Sequence, residues 1–362
     1  MLWSLVLISS FLGLREIEYI RNRQVQIVPQ ISREARVQER IRRFRSQGPE
    51  FHPQINKISR FSKFGPKDQI VMRVLALRVE FEEERPDNPK TTGTGKFKTE
   101  SNGENPILGL DCSGRPYYNP FYDPPHDWTY FNNQMLALAS YVYAATYGKV
   151  RLEWVVKPDS GLPPYKVPHP ISYYGDTSQM ELGLVTFMRD AFRAADKDPT
   201  ISFEDLDNNG IKDYMEGIWV RYIIFHAGSA WQTDIAMDTP YDLAAVTIPP
   251  GALEYYLGRG YLVLNEGRDT VYDACILPET MSQDGVEIKL QGTLFHESGH
   301  NLFLLPDLYD TYGRGAGIGA FGIMTTAPYL DAVGIPGGLI PPMPNAWERM
   351  FMDFVLRLVY GE

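Results

Sequence analysis

The chain has 362 residues, 44% of them hydrophobic and 22% charged, which is typical of a globular protein with a substantial core. Its formal net charge of −10 argues against nucleic acid as a partner, because phosphate would be repelled. The charge is uneven, with +8 over residues 15–67 and −18 over residues 68–362. Its two cysteines, Cys112 and Cys275, exclude a four-thiolate zinc site and leave one disulfide between them open.

The N-terminal segment, residues 1–14, is apolar and uncharged. As a helix it would measure about 21 Å, which is too short to cross a bilayer core of about 30 Å. We therefore interpret it as a secretory signal and expect a secreted protein; the alternative is a buried N-terminal strand or helix. No later stretch has membrane-spanning length, so we expect no stable membrane insertion of the mature chain.

Residues 15–67 form a second segment with its own composition. An Arg-rich stretch at 32–47 is typical of a short helix, and a linker of Pro, Gly, Ser and basic residues follows to Lys67. We interpret the segment either as a pro-region lying over the acidic part of a secreted hydrolase or as a solvated helix and linker without a regulatory role. Residues 68–362 are then the main domain.

Five segments of the main domain have a clear periodicity. Apolar runs rich in Val, Ile and Leu predict strands, and apolar residues at helical spacing predict helices. In chain order we predict a strand at 69–81, a helix at 130–148, a strand at 149–157, a helix at 181–197 and a strand at 218–228. The last is a near-continuous apolar run, which indicates a central strand. This alternation of strands and helices indicates an α/β fold.

The segment at residues 292–313 contains the motif HExxH at His296, Glu297 and His300. On a helix, histidines four residues apart share a face, so both imidazoles can bind one Zn²⁺ that keeps a further position for water. Glu297 follows the first histidine and can act as the general base toward that water. The motif therefore predicts hydrolysis of a peptide bond with zinc as the cofactor.

The chain after this helix supplies the remaining candidates for the site. Asp307 is the first acidic residue after the turn and our preferred third zinc ligand, with Asp310 as the alternative. Either carboxylate can instead cap the loop or accept a hydrogen bond from an imidazole. Met324, in a Gly-flanked turn, can form an apolar floor under the metal or fill a gap in the core. Tyr329 can donate a hydrogen bond to a developing oxyanion.

A second candidate cation site lies at residues 205–216. Oxygen-bearing side chains occupy positions 1, 3, 5, 9 and 12 of this loop, with a glycine at position 6, which is the spacing of a Ca²⁺ loop. These residues are Asp205, Asp207, Asn209, Asp213 and Glu216. Position 8 carries Lys212 instead of an apolar residue, and the flanking segments are a helix and a strand rather than two helices. An Asp/Asn-rich turn without calcium is therefore an equal alternative.

Several segments occur in a fixed order between residues 70 and 350: VLALRVEF, YAATYGKVRLEWVV, DLDNNGIKDYMEGIWVRYIIFHAG, ILPETM, HESGH followed by LPDLYD, the GIM turn and NAW. Together they resemble the immune inhibitor A-like family of secreted zinc metallopeptidases. The resemblance implies a zincin-like fold, in which a twisted sheet packs on the active-site helix and a smaller C-terminal lobe closes the cleft. It also implies extracellular endopeptidase activity on a protein or peptide, with His296, His300 and Asp307 as zinc ligands and Glu297 as base.

The sequence departs from the family pattern after the second histidine. The family normally has a glycine three residues later, and the aspartate three residues after that glycine. Here Phe303 occupies the glycine position and one extra residue precedes Asp307. The departure motivates a rival hypothesis, a non-catalytic descendant that keeps the fold and the metal as a binding module. A second rival is a zinc amidase that uses the same chemistry on a non-peptide substrate.

Overall fold

The computed structural model describes residues 69–100, 107–110, 116–118, 124–176, 178–309, 317–319, 321–325 and 337–360. The predictions for segments 1–14 and 15–67, and those that involve Asp310, Tyr329 or Cys112, fall outside these residues. Cys275 is a buried free thiol.

The described elements alternate between strands and helices along most of the chain. The strands are β1 (Ile70–Glu80), β2 (Ile107–Leu110), β3 (Pro116–Tyr118), β4 (Val150–Lys157), β5 (Tyr165–Lys166), β6 (Trp219–His226), β7 (Val246–Ile248), β8 (Leu262–Leu264), β9 (Asp269–Val271) and β10 (Ala274–Pro278). The α-helices are α1 (Trp128–Ala145), α2 (Ile171–Tyr174), α3 (Met180–Ala195), α4 (Pro250–Leu257), α5 (Leu290–Phe303) and α6 (Ala346–Tyr360).

A six-stranded, mostly parallel sheet forms the centre of the fold. Its strand order is β4–β1–β6–β10–β7, and β5 pairs with the last residues of β1. The strand β1 runs parallel to β4 and β6, and β6 runs parallel to β10. The strand β7 runs antiparallel to β10 at one edge. The pairs β2–β3 and β8–β9 form two separate antiparallel ribbons.

The apolar runs of the sequence become the interior strands of this sheet. All eight residues of β6 are buried, as expected for a parallel strand covered on both faces. One of them is charged: the Arg221 guanidinium stacks on the Trp219 ring at 3.7 Å and pairs with the Asp273 carboxylate at 2.8 Å. Asp273 immediately precedes β10. This buried ion pair therefore links β6 to the start of β10, its neighbour in the sheet.

The structure confirms the predicted α/β class and the five predicted elements, whose ends shift by at most three residues. The apolar run at 218–228 is β6 and is central, as predicted. Two short strands near the candidate site, β7 and β10, and the C-terminal helix α6 were not predicted from periodicity. Within the described ranges, no helix is long and apolar enough to cross a membrane.

Candidate metal centre

The helix α5 carries the HExxH motif and is buried along its whole length. All fourteen of its residues are buried, between β7 and β10 on one side and the helices α1 and α6 on the other. Two of its polar side chains are paired inside the protein: Gln291 donates to the Gln134 side chain at 2.7 Å, and Asn301 donates to Asp273 at 3.0 Å. A helix with this many polar residues tolerates burial because such bonds replace those to water.

Backbone carbonyls fix the tautomers of both motif histidines. His296 Nδ1 lies 2.9 Å from the Ile323 carbonyl oxygen, and His300 Nδ1 contacts the Leu305 carbonyl oxygen. A carbonyl can only accept, so each Nδ1 carries the hydrogen and donates it. The remaining Nε2 atoms then bear the lone pairs, which is the arrangement that a metal-binding imidazole requires.

The Asp307 carboxylate meets both of these nitrogens. Its Oδ1 lies 3.2 Å from His296 Nε2 and 3.0 Å from His300 Nε2. Ligands bound to one tetrahedral Zn²⁺ at about 2.0–2.1 Å would lie about 3.3–3.4 Å apart. The two separations from Asp307 are therefore close to those of a zinc ligand set.

The electrostatics of this cluster favour a positive charge among the three side chains. Burial lowers the pKa of His296, but the Asp307 hydrogen bond and the negative charges of Glu297 and Asp307 raise it to about 9. Burial raises the pKa of Asp307, but its interactions with the two imidazoles hold that pKa well below the usual range. Protons on the imidazoles or a divalent cation between them would supply the charge. His296, His300 and Asp307 therefore fit Zn²⁺ in donor type and in spacing.

The chain reversal after α5 explains how Asp307 reaches the histidines despite the missing glycine. The helix continues through Phe303, and Leu304 adopts the left-handed conformation with φ of 54°. Leu304 N–H donates to the His300 carbonyl at 3.0 Å, which is the bond of an αL motif, and Leu305 N–H donates to the Gly299 carbonyl at 3.1 Å. The reversal thus comes one residue later than in the family pattern, and Asp307 again follows it by three residues.

Glu297 lies in the same cluster as the histidines, with one ligand atom of each within 4.8 Å of the others. Its Oε1 is 3.9 Å from His296 Nε2. Its Oε2 accepts a hydrogen bond from Thr247 Oγ1 at 2.9 Å. Glu297 is buried, with 7% of the residue exposed. This position suits a base that acts next to the metal rather than a fourth ligand.

Met324 packs beneath the helix that carries the histidines. Its side chain is fully buried, and its sulfur would lie only 2.6 Å from a Cβ atom added at Gly299. Gly299 therefore has a packing role, since any side chain there would displace Met324. The Met324 N–H donates to the buried Glu348 carboxylate of α6 at 2.8 Å, which ties this turn to the C-terminal helix. This arrangement is consistent with the predicted apolar floor.

The loop at 205–216 brings its carboxylates around a side chain of the protein itself. Arg73 of β1 places Nη2 2.9 Å from Asp207 Oδ2, and its Nη1 contacts the fully buried Asp213. The same guanidinium donates from Nε to Glu153 at 2.9 Å and lies 3.7 Å from Glu216. The guanidinium thus supplies positive charge at the predicted calcium ligands Asp207 and Asp213.

Two further predicted calcium ligands, Asp205 and Asn209, form hydrogen bonds within the loop. The Asp205 carboxylate accepts backbone N–H groups of Asn209 at 3.1 Å and Gly210 at 2.9 Å. The Asn209 side chain donates to Asp207 at 3.2 Å and to Glu216 at 3.1 Å. These bonds are those of a closed polar turn, and the same carboxylate oxygens remain chemically suited to Ca²⁺.

The structure brings together His296, Glu297, His300 and Asp307 as the sequence predicted. It adds Thr247, which sequence reasoning missed because β7 is only three residues long and carries no motif. The aromatic ring of Tyr309 also lies near the cluster, 6.2 Å from the His296 ring between centroids. Its place in LPDLYD, two residues after Asp307, was the available signal.

Comparisons of the chain with models of known protein families and with curated proteins found no match. The function is therefore inferred from the geometry of the site.

Proposed function

We propose that this protein is a zinc-dependent endopeptidase, with His296, His300 and Asp307 as metal ligands and Glu297 as general base. The observation that carries the proposal is the pairing of each histidine Nδ1 with a backbone carbonyl. It directs both Nε2 lone pairs toward the same carboxylate oxygen of Asp307. Two imidazole nitrogens and one carboxylate oxygen at these distances have the donor types and spacing of a Zn²⁺ site.

Each residue of the site has a separate role in the proposed reaction. Bound Zn²⁺ would act as a Lewis acid on the scissile carbonyl and lower the pKa of an attacking water. Glu297 accepts the proton of that water at its Oε1 side and passes it to the leaving amine. The carbonyls of Ile323 and Leu305 hold the imidazoles in one tautomer. Buried Met324 supports the helix from beneath, packed against Gly299.

The sheet edge beside Glu297 favours an extended peptide as substrate. The strand β7 pairs with β10 on one side, and no other described strand pairs with it. Its central residue, Thr247, contacts Glu297, so a peptide added to the open edge would pass close to the proposed base. Backbone pairing of this kind binds a polypeptide with little regard to its side chains. This edge is why we prefer a peptidase to an amidase acting on a non-peptide substrate.

The proposal extends to the fold family and to the location of the protein. A parallel sheet with an antiparallel edge strand, packed against a buried HExxH helix, is compatible with a zincin-like domain of the immune inhibitor A-like type. Secretion is proposed from the apolar segment 1–14 alone. A pro-region at 15–67 is likewise proposed from sequence.

A cleavage assay with a mixed peptide library tests the proposal directly. The full chain should cleave peptides, lose the activity with a zinc chelator and regain it when Zn²⁺ is restored. Zinc binding without cleavage would favour the non-catalytic descendant instead. Hydrolysis of small amides without hydrolysis of peptides would favour the amidase.

A further inference from the structure

The hydroxyl of Thr247 is placed to hold the Glu297 carboxylate from the side away from the histidines. Thr247 lies on the edge strand β7, is 5% exposed, and places Oγ1 2.9 Å from Glu297 Oε2. The same Oγ1 is 2.9 Å from the Glu297 backbone carbonyl oxygen. A hydroxyl has one hydrogen to donate, so only one of these two acceptors receives it at a time.

The charged acceptor is the stronger of the two. A hydrogen bond to a carboxylate is roughly twice as strong as one to a neutral carbonyl. The Glu297 carbonyl also has another donor, because the Cys275 thiol lies 3.3 Å from it. The Thr247 hydrogen is therefore directed to Oε2, while Cys275 serves the carbonyl.

The two oxygens of Glu297 thereby receive different roles. Oε2 is tied to β7, and Oε1 is left on the side of His296, 3.9 Å from its Nε2. A carboxylate that is held at one oxygen can no longer rotate freely. Its other oxygen, which acts as the base, therefore stays turned toward the reacting water. Such pre-orientation is a recognised part of catalytic rate enhancement.

We propose that Thr247 is a positioning residue that orients Glu297 for proton transfer and couples this orientation to the substrate-facing edge strand. The inference rests on the proposed peptidase function. Thr247 itself neither transfers a proton nor binds the metal.

The test compares Thr247→Val, which keeps the shape and removes the hydroxyl, with Thr247→Ser, which keeps the hydroxyl. Thr247→Val should lower kcat by about 10- to 100-fold, the usual effect of losing such a supporting hydrogen bond. KM, zinc content and Tm should remain near the wild-type values. Thr247→Ser should retain most of the activity. If Thr247→Val fails to fold, Thr247→Ala serves in its place.

A double-mutant cycle separates positioning from a general packing role. In a Glu297→Gln background, Thr247→Val should cause almost no further loss, because the group that it orients no longer acts as a base. A full additional loss in that background would overturn the proposal. Equal kcat for wild type and Thr247→Val would also overturn it, as would a joint fall in Tm and zinc content.

A crystal structure of zinc-loaded Thr247→Val provides a readout that needs no turnover. The Glu297 carboxylate should leave its wild-type position, while His296, His300 and Asp307 stay in place. An unmoved carboxylate would refute positioning by Thr247. Absence of zinc-dependent cleavage in the wild type would instead refute the peptidase function, so the two failures can be told apart.

Discussion

The two candidate cation sites of this protein differ in where their positive charge comes from. At the loop 205–216, the guanidinium of Arg73 contacts Asp207 and Asp213, so the protein itself neutralises the cluster. At the helix α5, the described contacts of the Asp307 oxygen are with two imidazole nitrogens, and each ring already uses its Nδ1 hydrogen on a carbonyl. The loop thus has an internal cation, whereas the two imidazoles and the carboxylate at the helix have the donor types and spacing of a zinc site.

Ligand spacing alone therefore does not identify a metal site. Both segments carry spacing typical of a cation site, one for Zn²⁺ and one for Ca²⁺. Arg73 lies more than 130 residues before the loop, so no local pattern could have predicted its insertion. The hydrogen-bond partners of the ligand side chains distinguish the sites, since they decide which atoms remain available to an ion.

The largest expected effect is that of removing a zinc ligand. The wild type should bind near-stoichiometric zinc. His300→Ala should lose this zinc and all measurable peptidase activity, because the two remaining protein ligands bind the metal poorly. Elemental analysis of protein purified without added metal, alongside the cleavage assay, measures both. His169→Ala is the matched control, since His169 stacks on Tyr173 and has no contact with the site. Full zinc content in His300→Ala would show that the ligand assignment is wrong.

The next effect separates the base from the ligands. Glu297→Gln should keep zinc and Tm but lower the rate by about 10²–10⁴, the usual contribution of a general base. This loss corresponds to about 3–5 kcal/mol of barrier. Glu254→Gln, at an exposed position of α4, controls for the loss of a negative charge. A zinc-loaded, folded Glu297→Gln that still cleaves peptides at the wild-type rate would disprove the mechanism.

At the loop, the next prediction concerns the loss of the internal cation, Arg73. Arg73→Met should destabilise the fold by about 3 kcal/mol at neutral pH, because it leaves the buried Asp213 without its partner. Arg151→Met is the matched control: Arg151 pairs with Glu153 but is half-exposed, and we expect less than about 1 kcal/mol. Chemical denaturation measures both changes. Equal losses in the two variants would show that Arg73 does not compensate the loop.

The loss in Arg73→Met should depend on pH in a defined direction. Burial raises the pKa of Asp213 to about 6, although Arg73 and backbone N–H groups act to lower it. A carboxyl whose folded-state pKa exceeds its unfolded value near 4 stabilises the fold at low pH, and that stabilisation is lost as pH rises through about 6. Without Arg73 the ionised Asp213 is penalised further. The destabilisation should therefore be small at pH 4.5 and increase as the pH rises above about 6.

Calcium provides the corresponding test of the predicted ligands. Since a ligand of the folded state raises stability by mass action, we expect Ca²⁺ to raise the Tm of the wild type and more so that of Arg73→Met. Asp207→Ala should lose this response, because it removes a predicted ligand. An equal response in wild type and Asp207→Ala would exclude the loop as the calcium site.

Sequence predicted the parts of the site that depend on local spacing. The residues His296, Glu297 and His300 share one helix, so their proximity follows from helical geometry. Asp307 was predicted only as a preferred candidate, because its reach depends on how the chain reverses after Phe303. Thr247 could not be predicted, since its contact with Glu297 joins the strand β7 to the helix α5 across 50 residues. The α/β class followed from strand–helix alternation, whereas short strands such as β7 are too brief for a periodic pattern.

The smallest expected effect concerns the reversal that brings Asp307 to the histidines. Leu304 occupies the left-handed region, which is unfavourable by about 1–2 kcal/mol for a residue with a Cβ and nearly free for glycine. Replacing Leu304 also removes side-chain packing, so glycine and alanine variants must be compared with each other. Leu304→Gly should be more stable than Leu304→Ala by about 1 kcal/mol, as measured by denaturant titration.

The exposed Leu136 of α1 provides the opposite case. It lies inside a regular helix and is 52% exposed, so Leu136→Ala should be more stable than Leu136→Gly by about 1 kcal/mol. Opposite signs at the two positions would show that the left-handed turn, rather than lost packing, determines the difference at Leu304. Alanine favoured at both positions would mean that the chain does not reverse at Leu304 as described. The turn at Leu304 would then not be what brings Asp307 beside the histidines.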